Sequence, residues 1–184
     1  MHYFVADQSI YGAQMILLQE TWQWTQDLSN SIDGFINSFN SGLVARGNGI
    51  ASYYKDYDIE IESAWDTSYQ ITKLSTANYD VINVYFKARS THDFLSDMDF
   101  LITNPETTVI LGDLNIDFLK PSSQRVLNWL KTRNFDQIID RPTHIKGGLI
   151  DHVWVPKTLS NVAQFNVKSV FYSDHDQIQV ILPN

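Results

Sequence analysis

The chain has 184 residues, 43% of them apolar, enough for one domain spanning 1–184 with a substantial core. Its net charge of −8 disfavours a long, tight grip on nucleic acid, and the lack of cysteine excludes disulfides and thiolate zinc sites. Any metal must sit on Asp, Glu, Asn or His, a donor set that suits Mg²⁺, Ca²⁺ or Mn²⁺. No apolar run is long enough to cross a membrane, and MHYFVADQSIYG lacks the pattern of a secretory signal. The expected location is intracellular, in nucleus or cytoplasm.

Gln14–Gln19 predicts a buried strand that ends directly in Glu20, and a polar or short helical segment is expected from there to Phe39. Arg46–Tyr54 reads as a turn on Gly47 and Gly49 feeding a strand; its GxG is too short and misplaced for a nucleotide loop. Ile59–Trp65 and Tyr69–Ser75 are rich in strand formers and flank Asp66-Thr67-Ser68, the pattern of a hairpin. Tyr79–Phe86 is a further strand, carrying Asn83 and Tyr85 near its end. Thr91–Ile102 has helical spacing, with Phe94, Leu95, Met98, Leu101 and Ile102 inward and His92, Asp93, Asp97 and Asp99 as its solvated face.

Thr108–Leu111 is a β-branched and aliphatic run of the kind buried on both faces of a sheet. It is expected to stop at Gly112, where the backbone can turn sharply or approach a ligand, and to deliver Asp113 and Asn115. Taken alone these residues also make an ordinary turn. Pro121–Arg133 predicts a helix capped by Ser122 or Ser123, with Val126, Leu127 and Leu130 inward. Ile150–Val155, Phe165–Val170 and Gln177–Leu182 read as strands. Mixed strands and helices with several hairpins suggest an α+β fold of two mixed sheets with helices outside.

Several apolar strands carry reactive residues at their ends: Glu20, Tyr85, Asp113 with Asn115, Asp151 with His152, and Asp174 with His175. A single Asp-His pair is commonly a surface hydrogen bond. Five such ends are more informative, because strand termini along one sheet edge converge on one cleft. The residue types match phosphodiester hydrolysis, which needs a metal on phosphate oxygens, a positioned water and donors to the developing charge. A carboxylate beside a His fixes its tautomer and keeps it protonated.

The segments Ile16–Trp22 (ILLQETW), Asn83–Tyr85 (NVY), Ile110–Asn115 (ILGDLN), Ile150–Val155 (IDHVWV) and Ser173–His175 (SDH) occur in this order. In them the sequence resembles the endonuclease/exonuclease/phosphatase superfamily with its DNase I-like fold. RGNGIASYYK, DVINVYF and RPTHIKGGLIDHVWV most resemble endonuclease domains of mobile elements, whether retroelements or helicase-bearing transposons. The resemblance implies a four-layer α/β/β/α sandwich, a Mg²⁺ cofactor (Mn²⁺ as the alternative) and a nucleic-acid partner, DNA foremost. It implies Glu20 as metal ligand, Asp113 positioning or deprotonating the attacking water, Asn115 orienting water and phosphate, and His175 contacting the scissile phosphate. Asp151 would orient His175, Asp174 would hold the metal's water shell or a second metal, and Tyr85 would hydrogen-bond the phosphate. Asn83 would support the site from Tyr85's strand, and His152 would be structural. Thr143 and His144 would touch the nucleic-acid strand or serve as plain loop residues. By their place near the expected strand ends, Lys87, Arg89, Arg141 and Lys146 either supply basic groups around the cleft or are simply solvated.

Only nineteen residues precede Glu20, and none is Asn. The family's opening strand–helix unit and its Asn are therefore expected to be missing, with Asp7 or Gln8 as substitutes only if the N-terminus folds back. Loss of one such donor costs about 10²–10³ in rate. Three functions remain open from sequence: a Mg²⁺-dependent endonuclease nicking DNA, a catalytically silent remnant acting as a binding module, and a hydrolase of a small phosphoester.

Overall fold

A computed structural model describes residues 11–21, 31–40, 49–87, 91–120 and 124–183. Expectations resting on Asp7, Gln8, Trp22, Arg46, Gly47, Arg89, Ser122 and Ser123 fall outside these residues.

The central element is a six-stranded mixed sheet built from β4 (Glu60–Trp65), β5 (Tyr69–Ser75), β6 (Asp80–Phe86), β7 (Thr108–Asp113), β9 (Asp151–Pro156) and β8 (Phe135–Gln137), in that spatial order. The β4–β5 hairpin closes through Asp66, whose side chain accepts hydrogen bonds from Thr67 Oγ1, Ser68 N and Ser68 Oγ, as its turn chemistry predicts. β6 and β7 run parallel, so the chain between them must cross over, and it does so through helix α1 (Thr91–Leu101). Helix α2 (Gln124–Thr132) follows β7.

The period-two alternation of the strands sorts their side chains between two faces. Ile71, Ile82, Val84, Phe86, Ile110 and Trp154 meet Phe94, Leu95, Met98 and Leu101 of α1 and Val126, Leu127 and Leu130 of α2 in one apolar cluster. The inner faces read from the helical spacing are the ones buried. The opposite face of the sheet meets a second β layer. Val109, Val153 and Val155 pack against Phe165 and Val167 of β10 (Gln164–Lys168) and Ile178 and Val180 of β11 (Gln177–Ile181), a two-stranded antiparallel sheet. Beside it stands a three-stranded antiparallel sheet, β1 (Met15–Leu18), β3 (Ile50–Tyr54) and β2 (Ile36–Asn40), with β3 in the middle.

Three expectations need correction, and one strand was not foreseen. The segment ending at Phe39 is not helical at its end: Ile36–Asn40 is strand β2, because fully buried β3 takes a hydrogen-bonding partner on each side. The short strand β8 follows α2 directly, through Asn134 in the left-handed conformation (φ 62°), and three residues are too few for periodicity to announce. Asp97 is not simply solvated, since the buried Tyr69 hydroxyl donates to its carboxylate at 2.6 Å. β7 does not stop at Gly112 but runs on through Asp113, and what Gly112 approaches is the backbone of Val84 on β6.

His152 is structural, as the sequence suggests. It points to the helix face, donates Nε2–H to the Ile116 carbonyl at 2.8 Å and accepts Trp154 Nε1–H on Nδ1 at 3.2 Å. Burial pushes it down to about 4. The unfolded chain therefore takes up a proton on His152 that the folded chain refuses between pH 6.5 and 4, so this contribution is complete above pH 6.5 and is lost as pH falls to 4, by up to about 3 kcal/mol. Asp113 pulls the other way over much of that window (below). The check is accordingly a difference: urea midpoints of wild type and His152→Gln should converge as pH drops from 7.5 to 4.5, and parallel curves would refute the assignment.

Candidate active site

Register across the six-stranded sheet assembles the site. Gln70 on β5 pairs with Tyr85 on β6, Tyr85 with Asp113 on β7, and Asp113 with Asp151 on β9. Side chains in one register row of a sheet share a face, and this row faces the second β layer. Asp151 opens β9 while Asp113 closes β7, and the antiparallel pairing brings them together.

From the second layer, Glu20 arrives just past the end of β1. Tyr85 OH donates to Glu20 Oε1, tying the two sheets together at the site. Glu20 and Asn115 hold φ of 50° and 51°, a conformation rare outside glycine. Such strain clusters where geometry serves function. Asn115 folds back on Asp113, its N–H reaching Oδ1 at 2.7 Å and its Nδ2 reaching Oδ2 at 3.0 Å. Asp113 is buried, and burial first, then the negative charge of Asp151, raises it to about 7; Glu20 adds to the shift. Carboxylate oxygens gathered here, Asp113 beside Asp151 with Glu20 near enough to raise Asp113 further, are the donor type a hard divalent cation takes.

His175 comes from the β10–β11 connection. Its Nδ1–H donates to both oxygens of Asp151, at 3.0 and 2.9 Å, and that hydrogen bond is the largest cause raising it to about 9. At neutral pH the ring is an imidazolium, leaving Nε2–H as a donor. Replacing Asp151 by Asn should lower the His175 midpoint by about one to two units, read from its imidazole NMR signals in metal-free protein; a midpoint still near 9 would refute the pairing.

Thr143 is completely buried. Its Oγ1–H donates to Asp151 Oδ2 at 2.7 Å, while the same oxygen accepts the N–H groups of Ile150 and Asp151. Of the two roles expected for it, these bonds suit the loop role, in which it fixes Asp151. Asn83 is equally buried. It accepts Gln19 Nε2–H at 2.6 Å and points its own amide at Leu18 O, Ala51 O and Ser52 Oγ, so it braces the end of β1. Lys87 lies with its ammonium 5.8 Å from the Tyr85 ring centre, beside the row. Arg141 pairs with its neighbour Asp140 and lies over Phe165. Lys146 is exposed on the loop after His144.

Asp174 faces His144, Oδ2 to Nε2 at 3.5 Å. Among the described residues, ligand atoms come within 4.8 Å of one another in two groups, Asp113–Asp151–His175 and His144–Asp174–His175, and Glu20 belongs to neither. Tyr85, expected on the phosphate, donates its hydroxyl to Glu20.

Two participants escaped the sequence reading. Gln19 links Glu20's strand to Asn83. Gln70 accepts the Gly49 N–H at 2.7 Å, and the Gly49 carbonyl accepts the N–H of Thr21, next to Glu20. The only signal was a polar residue on the inner face of a strand, which pattern alone assigns to solvent.

A family model described as the Endonuclease/Exonuclease/phosphatase family matches residues 7–175. No curated protein matches the chain. Among solved structures, the chain is similar to the endonuclease domain of TRAS1, a telomere-specific non-LTR retrotransposon, with 13% identity, TM-score 0.72, and 97% of this chain and 89% of that one covered. The Xenopus laevis APE2 catalytic domain matches at 16% identity and TM-score 0.60, covering 98% and 88%. Truncated Caenorhabditis elegans TDP2 matches at 14% identity and TM-score 0.61, covering 97% and 88%. The fold is the DNase I-like sandwich. Among the described residues no helix is long and apolar enough to cross a membrane.

Proposed function

The chain belongs to the endonuclease/exonuclease/phosphatase family, and we propose that it hydrolyses phosphodiester bonds with a divalent metal ion, nicking DNA as a mobile-element endonuclease domain. The observation that carries this reading is the row Tyr85–Asp113–Asp151 with His175 hydrogen-bonded to its end. It supplies a base, a protonated donor and a carboxylate that keeps the donor protonated within one cluster. The likeness to the TRAS1 endonuclease domain supports DNA and the mobile-element context.

In this reading Glu20, held by Tyr85, is the residue that holds Mg²⁺, or Mn²⁺ in its place. When bound, such an ion supplies Lewis-acid stabilisation of charge on a phosphate oxygen. Asp113 accepts a proton from the attacking water, and Asn115 keeps that carboxylate aimed. His175 donates Nε2–H to the phosphate as negative charge builds there, and Asp151 holds its tautomer and charge. Thr143 fixes Asp151, and Asn83 with Gln19 fixes the turn that presents Glu20. Asp174 serves His144 rather than the metal.

The test is nicking of supercoiled plasmid with Mg²⁺ or Mn²⁺, against EDTA and His175→Ala. Metal-dependent nicking that falls by about 10²-fold or more in the variant is expected. A folded, monodisperse protein that never nicks would refute the hydrolase and mark a silent remnant of the fold.

A further inference from the structure

His144 has no part in the chemistry above, yet its ring stands beside that of His175. An antiparallel bridge joins the two residues, and the rings meet edge to face with centres 4.7 Å apart. The loops carrying them are tied together, since Ile145 N–H donates to the Asp174 carbonyl at 2.9 Å and Asp176 N–H to the Thr143 carbonyl at 2.7 Å. On its own loop, Lys146 N–H donates to His144 Nδ1 at 3.0 Å. Nδ1 is therefore the accepting nitrogen, and Nε2 carries the hydrogen even in the neutral ring.

That assignment decides what the cluster of His144, Asp174 and His175 can do. A metal needs a lone pair on the ring nitrogen facing it, and His144 Nε2, committed as N–H by the Lys146 contact, offers none. With His175 as the phosphate-facing donor of the hydrolase reading, His144 adds a second N–H beside it. The hydrogen on His144 Nε2 is poorly used, because Asp174 Oδ2 lies 3.5 Å away, at the limit of a hydrogen bond. The Asp174 side chain is 65% exposed, so water can replace this contact at little cost, while an anionic oxygen between the histidines would accept from both. Exposed Lys146 adds positive charge beside them.

We propose that His144 is a second substrate-touching donor: its Nε2–H and that of His175 together grip the phosphodiester, and Asp174 takes His144 when no phosphate is bound. The proposal rests on the hydrolase reading, which makes His175 the phosphate-facing residue. It assigns the anion to paired imidazole donors where basic side chains at the cleft rim were the sequence expectation.

The test uses a dinucleoside monophosphate added to the protein in EDTA, with the imidazole nitrogens followed by NMR in wild type, His144→Leu and His144→Gln. Glutamine keeps an N–H donor near the reach of Nε2; leucine removes it. Expected are shifts of both Nε2 signals in wild type, binding weakened about tenfold or more in His144→Leu, and binding within about twofold of wild type in His144→Gln. A shift confined to His175, equal weakening in both variants, or no binding at either ring would overturn the proposal. Plasmid nicking by wild type is scored separately. A protein that binds the dinucleotide through both rings but never nicks leaves the paired donors standing and removes the hydrolase.

Discussion

Asp113→Asn should abolish nicking and, in the metal-free protein, make the fold more stable. Asparagine accepts no proton from water, and loss of a general base removes about 10²–10⁴ in rate. The stability gain follows from the same carboxylate. Burial and the charge of Asp151 raise Asp113 to about 7, so the folded chain carries an ionised group it disfavours at higher pH. The folded state holds a proton that the unfolded chain releases near pH 3.8. The cost is therefore absent at pH 3.8 and below, grows as pH rises, and is complete above pH 7. A shift of about three units sets a ceiling of roughly 4 kcal/mol. The amide must also turn to keep the Asn115 N–H and loses the second acceptor facing Asn115 Nδ2. A net gain of about 1–2 kcal/mol at pH 8 is expected, vanishing by pH 4. Thermal melts in EDTA at both pH values read it. A variant less stable than wild type at pH 8, or equally stabilised at both, would show that Asp113 is not held as an unfavourable charge.

This expectation explains why much of the site was legible from sequence. Asp113 follows an apolar run that must be buried, and a charge there has to serve something other than folding. The ordered motifs named Asp151 and His175; register then set Asp151 beside Asp113, and the β10–β11 connection brought His175 onto Asp151. Sequence was silent on what depends on distant partners. Glu20's left-handed backbone leaves no trace in residue type, and its grip on Tyr85 spans 65 positions. The motifs name Asn83 and Thr143 without their partners and do not name Gln70 at all. Each is buried where two sheets, or a strand and a loop, must be held at a fixed spacing, and its hydrogen bonds are satisfied there. Asp174 is expected from its short motif to hold the metal's water shell or a second metal, and no pattern in the sequence announces its approach to a histidine thirty residues earlier.

Gly112→Ala should be the most damaging single methyl group on the sheet. A Cβ built at Gly112 would stand 2.0 Å from Val84 O and 2.9 Å from Val84 C and N, all backbone atoms, and φ there is 138°. Backbone cannot move aside as a side-chain tip can, so β6 and β7 would have to separate. Gly112 pairs with Val84, one step before Tyr85 pairs with Asp113, so the separation would open the catalytic row itself. Crowding and forced backbone conformation each cost a few kcal/mol, and their sum, more than about 4 kcal/mol, is a large share of a domain's stability. Most of the variant should be insoluble, and any soluble fraction should melt well below wild type. Gly148→Ala is the control: its Cβ would meet the Ile150 side chain at 3.4 Å and Asp117 Oδ2 at 3.5 Å, ordinary contacts. It should stay within about 1 kcal/mol of wild type. Equal melting of Gly112→Ala and the control would mean that β6 and β7 are not so closely set. It would remove the physical reason for a glycine before Asp113, where strand propensity alone favours almost any other residue.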